Sequence, residues 1–339
     1  MLKKFDVITI GGATQDIMYY TDDAEIIKNK ANILKQKLIA FEYGAKIISN
    51  DVHLTFGGGG MNTAINFANL NFKTATFLNL GLDWIGELIL KEIKNKGIDP
   101  HYITQDKNSY SGFSFIINHG DYNEHAVLGH RGANTKLKIS KNIISQLKTK
   151  WVYIASLSGQ DQLVKTNLKN IFENKKSLPA TSHRRGQGIK IAWNPGGAQL
   201  KYGYKFFQKY LSQVEVFNLN KDEAIELVLS TGLKTTNINK LLKTIHSWGP
   251  QIVAITDGSK GAYIYNGKQK YFRKAPPNTK NMNTTGAGDA FGSSFVAGLI
   301  MYKGDIQKSL KLATYQSHAV INKIGAQVGL LSKNQIKKL

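Results

Sequence analysis

Residues 5–10 (FDVITI) form a short β-branched run closed by Gly11-Gly12. Such a run with a tight glycine exit predicts a buried strand. Residues 14–56 hold no single period. Within them, Lys37-Leu38-Ile39-Ala40-Phe41 and Ala45-Lys46-Ile47-Ile48 read as strands of a small accessory sheet with a loop between. Beyond this stretch two periods alternate. Helical spacing covers 61–70 and 84–96, with a strand at 74–80 between them. Runs at 112–117 and 124–128 flank the turn residues Asn118-His119-Gly120-Asp121 and predict a hairpin. Strands at 151–155, 189–193, 214–218 and 251–256 then interleave with helices at 160–174, 221–230 and 237–247. A second hairpin spans 262–273, with Asn266-Gly267 as its type I′ turn, and helices follow near 287–302 and 305–323.

This alternation predicts an α/β fold: a mostly parallel sheet, helices on both faces and right-handed crossovers. No internal repeat or composition break divides the chain. One domain is expected over 1–339, with a small β-sheet lid built from about 14–56 and 110–130. The polar, basic stretch 174–188 (NKKSLPATSHRRGQG) reads as a surface insertion.

Composition narrows the class. Of 339 residues, 42% are hydrophobic and 20% charged, enough apolar content for a large core. There is no cysteine, so disulfides and thiolate metal sites are excluded. The run 7–10 is too short for a secretory signal, and no apolar stretch approaches the roughly 20 residues of a membrane helix. The expectation is a cytoplasmic protein without a membrane partner. A net charge of +22 raises nucleic-acid binding. The basic residues are scattered and no aromatic RNA-binding motif interleaves with them, so compositional bias is the better account. None of the eight histidines stands at metal-ligand spacing with carboxylates, and there is no G-x-S-x-G elbow for hydrolase chemistry.

The most informative segment is Asn283-Thr284-Thr285-Gly286-Ala287-Gly288-Asp289-Ala290-Phe291-Gly292, which opens an apolar helix. Small residues at a helix start leave free backbone N–H groups at its positive end, which suits an anion. Asp289 in the first turn would ordinarily act as a cap. Beside a bound phosphate its charge is unfavourable unless it has work, and taking a proton from an attacking hydroxyl is such work. Gly57-Gly58-Gly59-Gly60 lead directly into a helix with Asn62, whose amide offers both donor and acceptor to a polyol. Asn220 and Glu223 share one face of a helix start. They suit a capping box or, at a sheet's carboxyl edge, an oxygen site for Mg²⁺. Thr256 and Gly258 follow another strand at that edge.

In order along the chain these segments resemble the signatures of the ribokinase-like (PfkB) carbohydrate kinase family. Asn283–Asp289 resembles D-T-x-G-A-G-D, Gly57–Asn62 resembles G-G-x-G-x-N, and Gly81-x-Asp83-x-x-Gly86 completes the first signature. Asn220–Glu223 resembles N-x-x-E, Thr256–Gly261 resembles T-x-G-x-x-G, and Gly132-Ala133-Asn134 resembles the G-A-N at the lid's return. The resemblance implies a three-layer α/β/α fold and an ATP-dependent kinase acting on a hydroxyl of a sugar. Asp289 would be the base, with the amides of Gly286, Ala287 and Gly288 on the phosphoryl oxygens. Asp16, Gly58, Gly59 and Asn62 would hold the acceptor. Asn220, Glu223, Thr256, Gly258, Gly261 and Thr285 would serve the nucleotide, with Glu223 and Asn220 reaching Mg²⁺ through water. Asp83 could simply cap the helix after it. Asn283 stands where the family has an Asp at a monovalent-cation site, which leaves K⁺ activation open. Arg131 is either a surface arginine or a partner for an anionic acceptor. The alternatives are a nucleoside kinase or a non-catalytic sugar- or nucleotide-binding protein on the same fold, and a homodimer through the lid is expected.

Overall fold

Two-residue alternation sorts each strand's side chains between two helical layers. In the first strand (Phe5–Ile10), Val7 packs in one core cluster, while Ile8 and Ile10 pack in the other. Trp151 and Tyr153 part in the same way from Val152 and Ile154 in the strand Thr149–Ile154. Strands buried on both faces read as continuous apolar runs and need helices above and below. The helices Asp161–Glu173, Gly203–Leu211, Lys221–Leu229 and Ile238–Ser247 cover one face. Gly59–Asn69, Ala287–Met301 and Ile306–Ile321 cover the other. The structure, a computed structural model, describes residues 3–28, 37–119, 125–173, 188–277 and 284–337.

Among the described residues, nine strands form the main sheet. Seven run parallel, in the order Ile252–Thr256, Val216–Asn220, Lys190–Trp193, Thr149–Ile154, Phe5–Ile10, Thr74–Gly81 and Ile103–Asp106. The antiparallel pair Ala262–Tyr265 and Lys270–Arg273 extends one edge. A second sheet orders Asp51–Gly57, Thr14–Thr21, Gly112–His119 and His125–His130. Its middle pair is parallel and its outer pairs antiparallel. Asp16 lies opposite Thr55 and Ser114. One residue along, Ile17 lies opposite Leu54 and Phe115, and Phe115 lies opposite Leu128. Period-two alternation therefore puts Asp16 on one face and an apolar row on the other. Leu54 is 66% and Leu128 61% exposed.

The α/β class and parallel sheet are as the periodicity predicted. One run differs. Ala45–Ile48 is not a strand, because the backbone groups of Ile47 and Ile48 bond side chains. Tyr19 Oη donates to the Ile47 carbonyl at 2.7 Å and Thr21 Oγ1 to the Ile48 carbonyl at 2.8 Å, while Ile48 N–H donates to Asp23 at 3.0 Å. Lys37–Ala40 is a strand, but it pairs with Glu25–Lys28 in a separate ribbon. The strand Ile103–Asp106 and the helix Gly203–Leu211 add to the predicted set. The turn after His119, most of 174–188 and Asn283 lie outside the described residues.

Candidate active site

The parallel strands end at one edge, where open α/β sheets bind ligands. Gly11, Asn220 and Thr256 all sit there, just past or at their strand ends. The first strand's exit lies directly against the start of the helix Gly59–Asn69. The Gly12 carbonyl accepts from Gly60 N–H at 3.0 Å and Met61 N–H at 3.2 Å. A Cβ on Gly11 would come within 2.6 Å of Gly60 N, so the two backbones touch. Gly58 has φ +90°, and a Cβ there would come within 2.5 Å of the Gly12 carbonyl. Glycine is required at that position by both conformation and space.

The glycine run brings two carboxylates to one place. A Cβ on Gly57 would come within 2.1 Å of Asp16 Oδ2, and one on Gly59 within 3.3 Å of Asp289 Oδ1. Asn62 Nδ2 donates to Asp289 Oδ2 at 2.9 Å. Asp16, Gly58, Gly59, Asn62 and Asp289 therefore line one continuous wall. Burial pushes the Asp16 carboxyl up, and the Thr14 and Ser114 hydroxyls oppose it. Asp289 is only partly open to solvent. The protein packed around it pushes its carboxyl up, with the Asn62 donor working against the rise.

Gly286 caps the helix Ala287–Met301 in the left-handed conformation, φ +77°. A Cβ on it would come within 2.5 Å of the Ala326 Cβ. The Ala287 amide closes a turn on the Thr284 carbonyl at 3.2 Å, with Thr285 between them. The next two amides, of Gly288 and Asp289, lie in the first helical turn, where no intrahelical acceptor exists. In front of Gly288 there is open space: a Cβ there would meet nothing within 4 Å. Behind the same helix the Tyr153 hydroxyl is buried under Gly292. Burial and then the nearby Asp289 charge push Tyr153 well above its usual 10, so it stays neutral.

Ala287 and Gly288 also face a cavity of about 370 Å³. Thr256, Gly258 and Gly261 line its other side. That volume is within the roughly 300–1,000 Å³ of small-molecule sites. Asp257 N–H donates to the Gly261 carbonyl at 2.8 Å, folding this loop on itself. Lys221 Nζ reaches Asp257 Oδ2 at 3.1 Å and ties the loop to the start of the helix Lys221–Leu229. A larger cavity of about 960 Å³, lined by Asn79, Thr104 and Lys136 among others, contains none of the residues singled out above.

Asn220 and Glu223 close a reciprocal capping box: Glu223 N–H donates to Asn220 Oδ1 and Asn220 N–H to Glu223 Oε2, both at 2.8 Å. Burial pushes the Glu223 carboxyl up. The Asn220 amide opposes this, and the charges of Glu226, Asp289 and Asp222 add to the rise. Among the described residues no cluster of three acidic or imidazole side chains could hold a metal unaided. The capping box leaves Glu223 Oε1 uncommitted in a region of excess negative charge. That fits a Mg²⁺ held largely by phosphates and water. Asp83 is a structural cap: Gly86 N–H donates to it at 2.8 Å and Ser111 Oγ at 2.7 Å.

Gln327 went unread in the sequence. It sits in a loop, and its partner Asn62 is 265 positions away.

Residues 29–333 match the pfkB family carbohydrate kinase profile. The chain belongs to this family. As a pfkB kinase it is a phosphotransferase with an alcohol group as acceptor. The ribokinase of Haemophilus influenzae is 25% identical over 299 residues, covering 86% of this chain and 89% of its own length. Among solved structures, Arabidopsis thaliana ribokinase complexed with ribose and ATP superposes with a TM-score of 0.75 at 18% identity. It covers 99% of this chain and 98% of its own. Burkholderia thailandensis nucleoside kinase in complex with inosine gives 0.76 at 16% identity, with coverage of 98% and 97%. At these identities the structural likeness establishes the pfkB fold.

Proposed function

We propose that this pfkB kinase transfers the γ-phosphoryl group of ATP to a hydroxyl of a sugar or sugar derivative, with Asp289 as the base. One observation carries the reading. The Asn62–Asp289 bond sets a carboxylate where the wall holding Asp16 meets the open amides of Gly288 and Asp289. Asp16 and Asn62 orient the acceptor, and Asp289 takes the hydroxyl proton as the phosphoryl group arrives. Backbone amides at the helix start hold the phosphoryl oxygens, and the Thr256–Gly261 loop flanks the nucleotide. Positioning and electrostatics supply most of such catalysis. Glu223 and Asn220 would hold Mg²⁺ through water, and the bound ion would offset phosphate charge.

The four-stranded sheet is the proposed lid, since Asp16 lies on it and its closure would exclude water. Its outer face supports a homodimer through the lid, because the row Leu54, Ile17, Phe115 and Leu128 runs across all four strands. A Leu54→Glu, Leu128→Glu variant is expected to sediment as a monomer where the wild type sediments as a dimer. Equal sedimentation of the two would remove this interface from the proposal.

The proposal sets the enzyme in the cytoplasm, without a nucleic-acid partner, its lysines being scattered. Among the described residues no helix is long and apolar enough to cross a membrane. The acceptor is read by an ATP-consumption screen over ribose, fructose, sugar phosphates, sugar acids, adenosine and other nucleosides. Arg131, exposed and 3.4 Å from Ser158 Oγ, is the reason to include the anionic sugars. Turnover of a sugar with release of ADP supports the proposal. Turnover confined to nucleosides would replace it with the nucleoside-kinase reading, and no turnover across the panel would favour a binding protein.

A further inference from the structure

A primary amide has a donor on one side and an acceptor of nearly equal size on the other, so its orientation is set by its partners. Asn62 has a partner on each side. Gln327 Nε2 donates to Asn62 Oδ1 at 2.8 Å, and Asn62 Nδ2 donates to Asp289 Oδ2 at 2.9 Å. We propose that Gln327 is a positioning residue for the base: by donating to the Asn62 carbonyl it keeps the Asn62 NH₂ turned toward Asp289 and the carboxylate in register with the acceptor. This inference rests on the reading of Asp289 as base.

The same construction occurs one helical turn deeper. Asn66 lies on the same face of the helix as Asn62. Gln316 Nε2 donates to its Oδ1 at 2.8 Å, and its Nδ2 donates to the Ser293 and Ser294 hydroxyls at 2.7 Å each. Ser293 is one turn on from Asp289. The two rungs join the same helices, each asparagine being oriented by a glutamine. The deeper rung ends on neutral hydroxyls inside the core, whereas the upper one ends on a carboxylate at the cleft.

The segment carrying Gln327 is itself tied at two further points. Gly325 has φ +96°, and a Cβ there would come within 2.7 Å of Thr55 in the second sheet. Ala326 lies where a Cβ on Gly286 would go. Three successive residues thus touch the sheet that carries Asp16, the helix cap beside the open amides, and the amide that orients the base. Among the described residues, the Asp289 charge pushes up the Tyr153 hydroxyl and the Glu223 carboxyl. Both disfavour its charge or are disfavoured by it, so the Asn62 donor is the contact that favours the ionised base. Loosening that donor lets the Asp289 carboxyl rise further, and the acidic limb of the kcat profile moves to higher pH.

The test uses the full chain with MgATP and the acceptor that the screen turns over fastest. Gln327→Leu is expected to lower kcat about tenfold or more, as displaced catalytic groups do, to move the acidic limb upward and to leave the KM for ATP unchanged. In an Asn62→Ala background it should cost nothing further, because its action runs through Asn62. An equal loss in both backgrounds, or an unmoved kcat and acidic limb, would overturn the proposal. Should Gln327→Leu fail to fold, Gln327→Glu keeps the size and removes the donor, and the same readings apply. A titration of carbon-13 at aspartate Cγ, with the Asp289 signal assigned from Asp289→Asn, needs no acceptor. The signal should titrate at higher pH in either Gln327 variant, and an unchanged titration counts against the proposal. Asp289→Asn separates the two levels. If that variant keeps its turnover, the base reading fails. If it is inactive while the Gln327 variants match wild type, only this inference falls.

Discussion

Asp289→Asn is expected to lower turnover by about 10²–10⁴-fold, the usual contribution of a general base, while making the protein more resistant to heat. The first effect follows from removing the proton acceptor while keeping the shape and an oxygen for Asn62. The second follows from the cost of holding a carboxylate out of water. The surrounding protein raises the Asp289 carboxyl above its ordinary 3.8 despite the Asn62 donor. A raised folded value means that the folded state binds the proton more tightly than the unfolded chain. The associated stability is present below the unfolded value and lost as pH rises through the folded one. Above the folded value the wild type has lost it, and the amide variant never had it to lose. Calorimetry should therefore show a higher midpoint for Asp289→Asn at neutral pH, with the difference closing as the pH falls toward 4. A wild type that is the more stable at neutral pH would mean that the carboxylate is better solvated than its surroundings imply. Turnover unchanged by the substitution would remove the base from the mechanism.

Two glycines two positions apart should fail in opposite ways. Gly288 faces open space, so Gly288→Val should leave the thermal midpoint within a degree or two and fill the room in front of the amides. Loss of an anion-hole contact typically costs on the order of 10²–10³ in rate, and kcat/KM for ATP should fall by about that factor. Gly286 instead has φ +77° and no room beside Ala326. Gly286→Ala should destabilise the fold by about 2–4 kcal/mol, from left-handed strain together with overpacking. Its midpoint should drop by several degrees before any kinetic effect is considered. If Gly288→Val keeps wild-type kinetics, phosphate does not approach at this helix start.

Much of this architecture is legible in the amino-acid pattern, because strands buried on both sides and helices covering them impose periods that local composition reveals. The run 45–48 departs from its local pattern for a physical reason. Its β-branched residues suit a strand, but Tyr19, Thr21 and Asp23 capture its backbone groups. Those partners lie more than twenty positions away, where no local pattern reports them. The glycines and Asp289 were legible as a string. What the string could not express is the distance between neighbours in space: that Gly57 abuts Asp16, or that Asn62 turns its NH₂ to Asp289. Asn220 and Glu223 show the opposite difficulty. The spacing of a capping box and that of a nucleotide-edge motif are the same, and the structure shows the box formed while one carboxylate oxygen remains uncommitted. Gln327 had no local signal at all, since its meaning lies in which side of a distant amide it faces.

The alternation in the four-stranded sheet has a consequence for how this enzyme can change. Residues 16, 55 and 114 share one side, while 17, 54, 115 and 128 share the other. On the proposed roles of the two faces, neighbours in the chain answer to different selective demands, separated by the thickness of a single backbone layer. If the two faces hold the roles proposed for them, substitutions at 16, 55 and 114 would explore new acceptors, and substitutions at 17, 54, 115 and 128 would explore new assemblies.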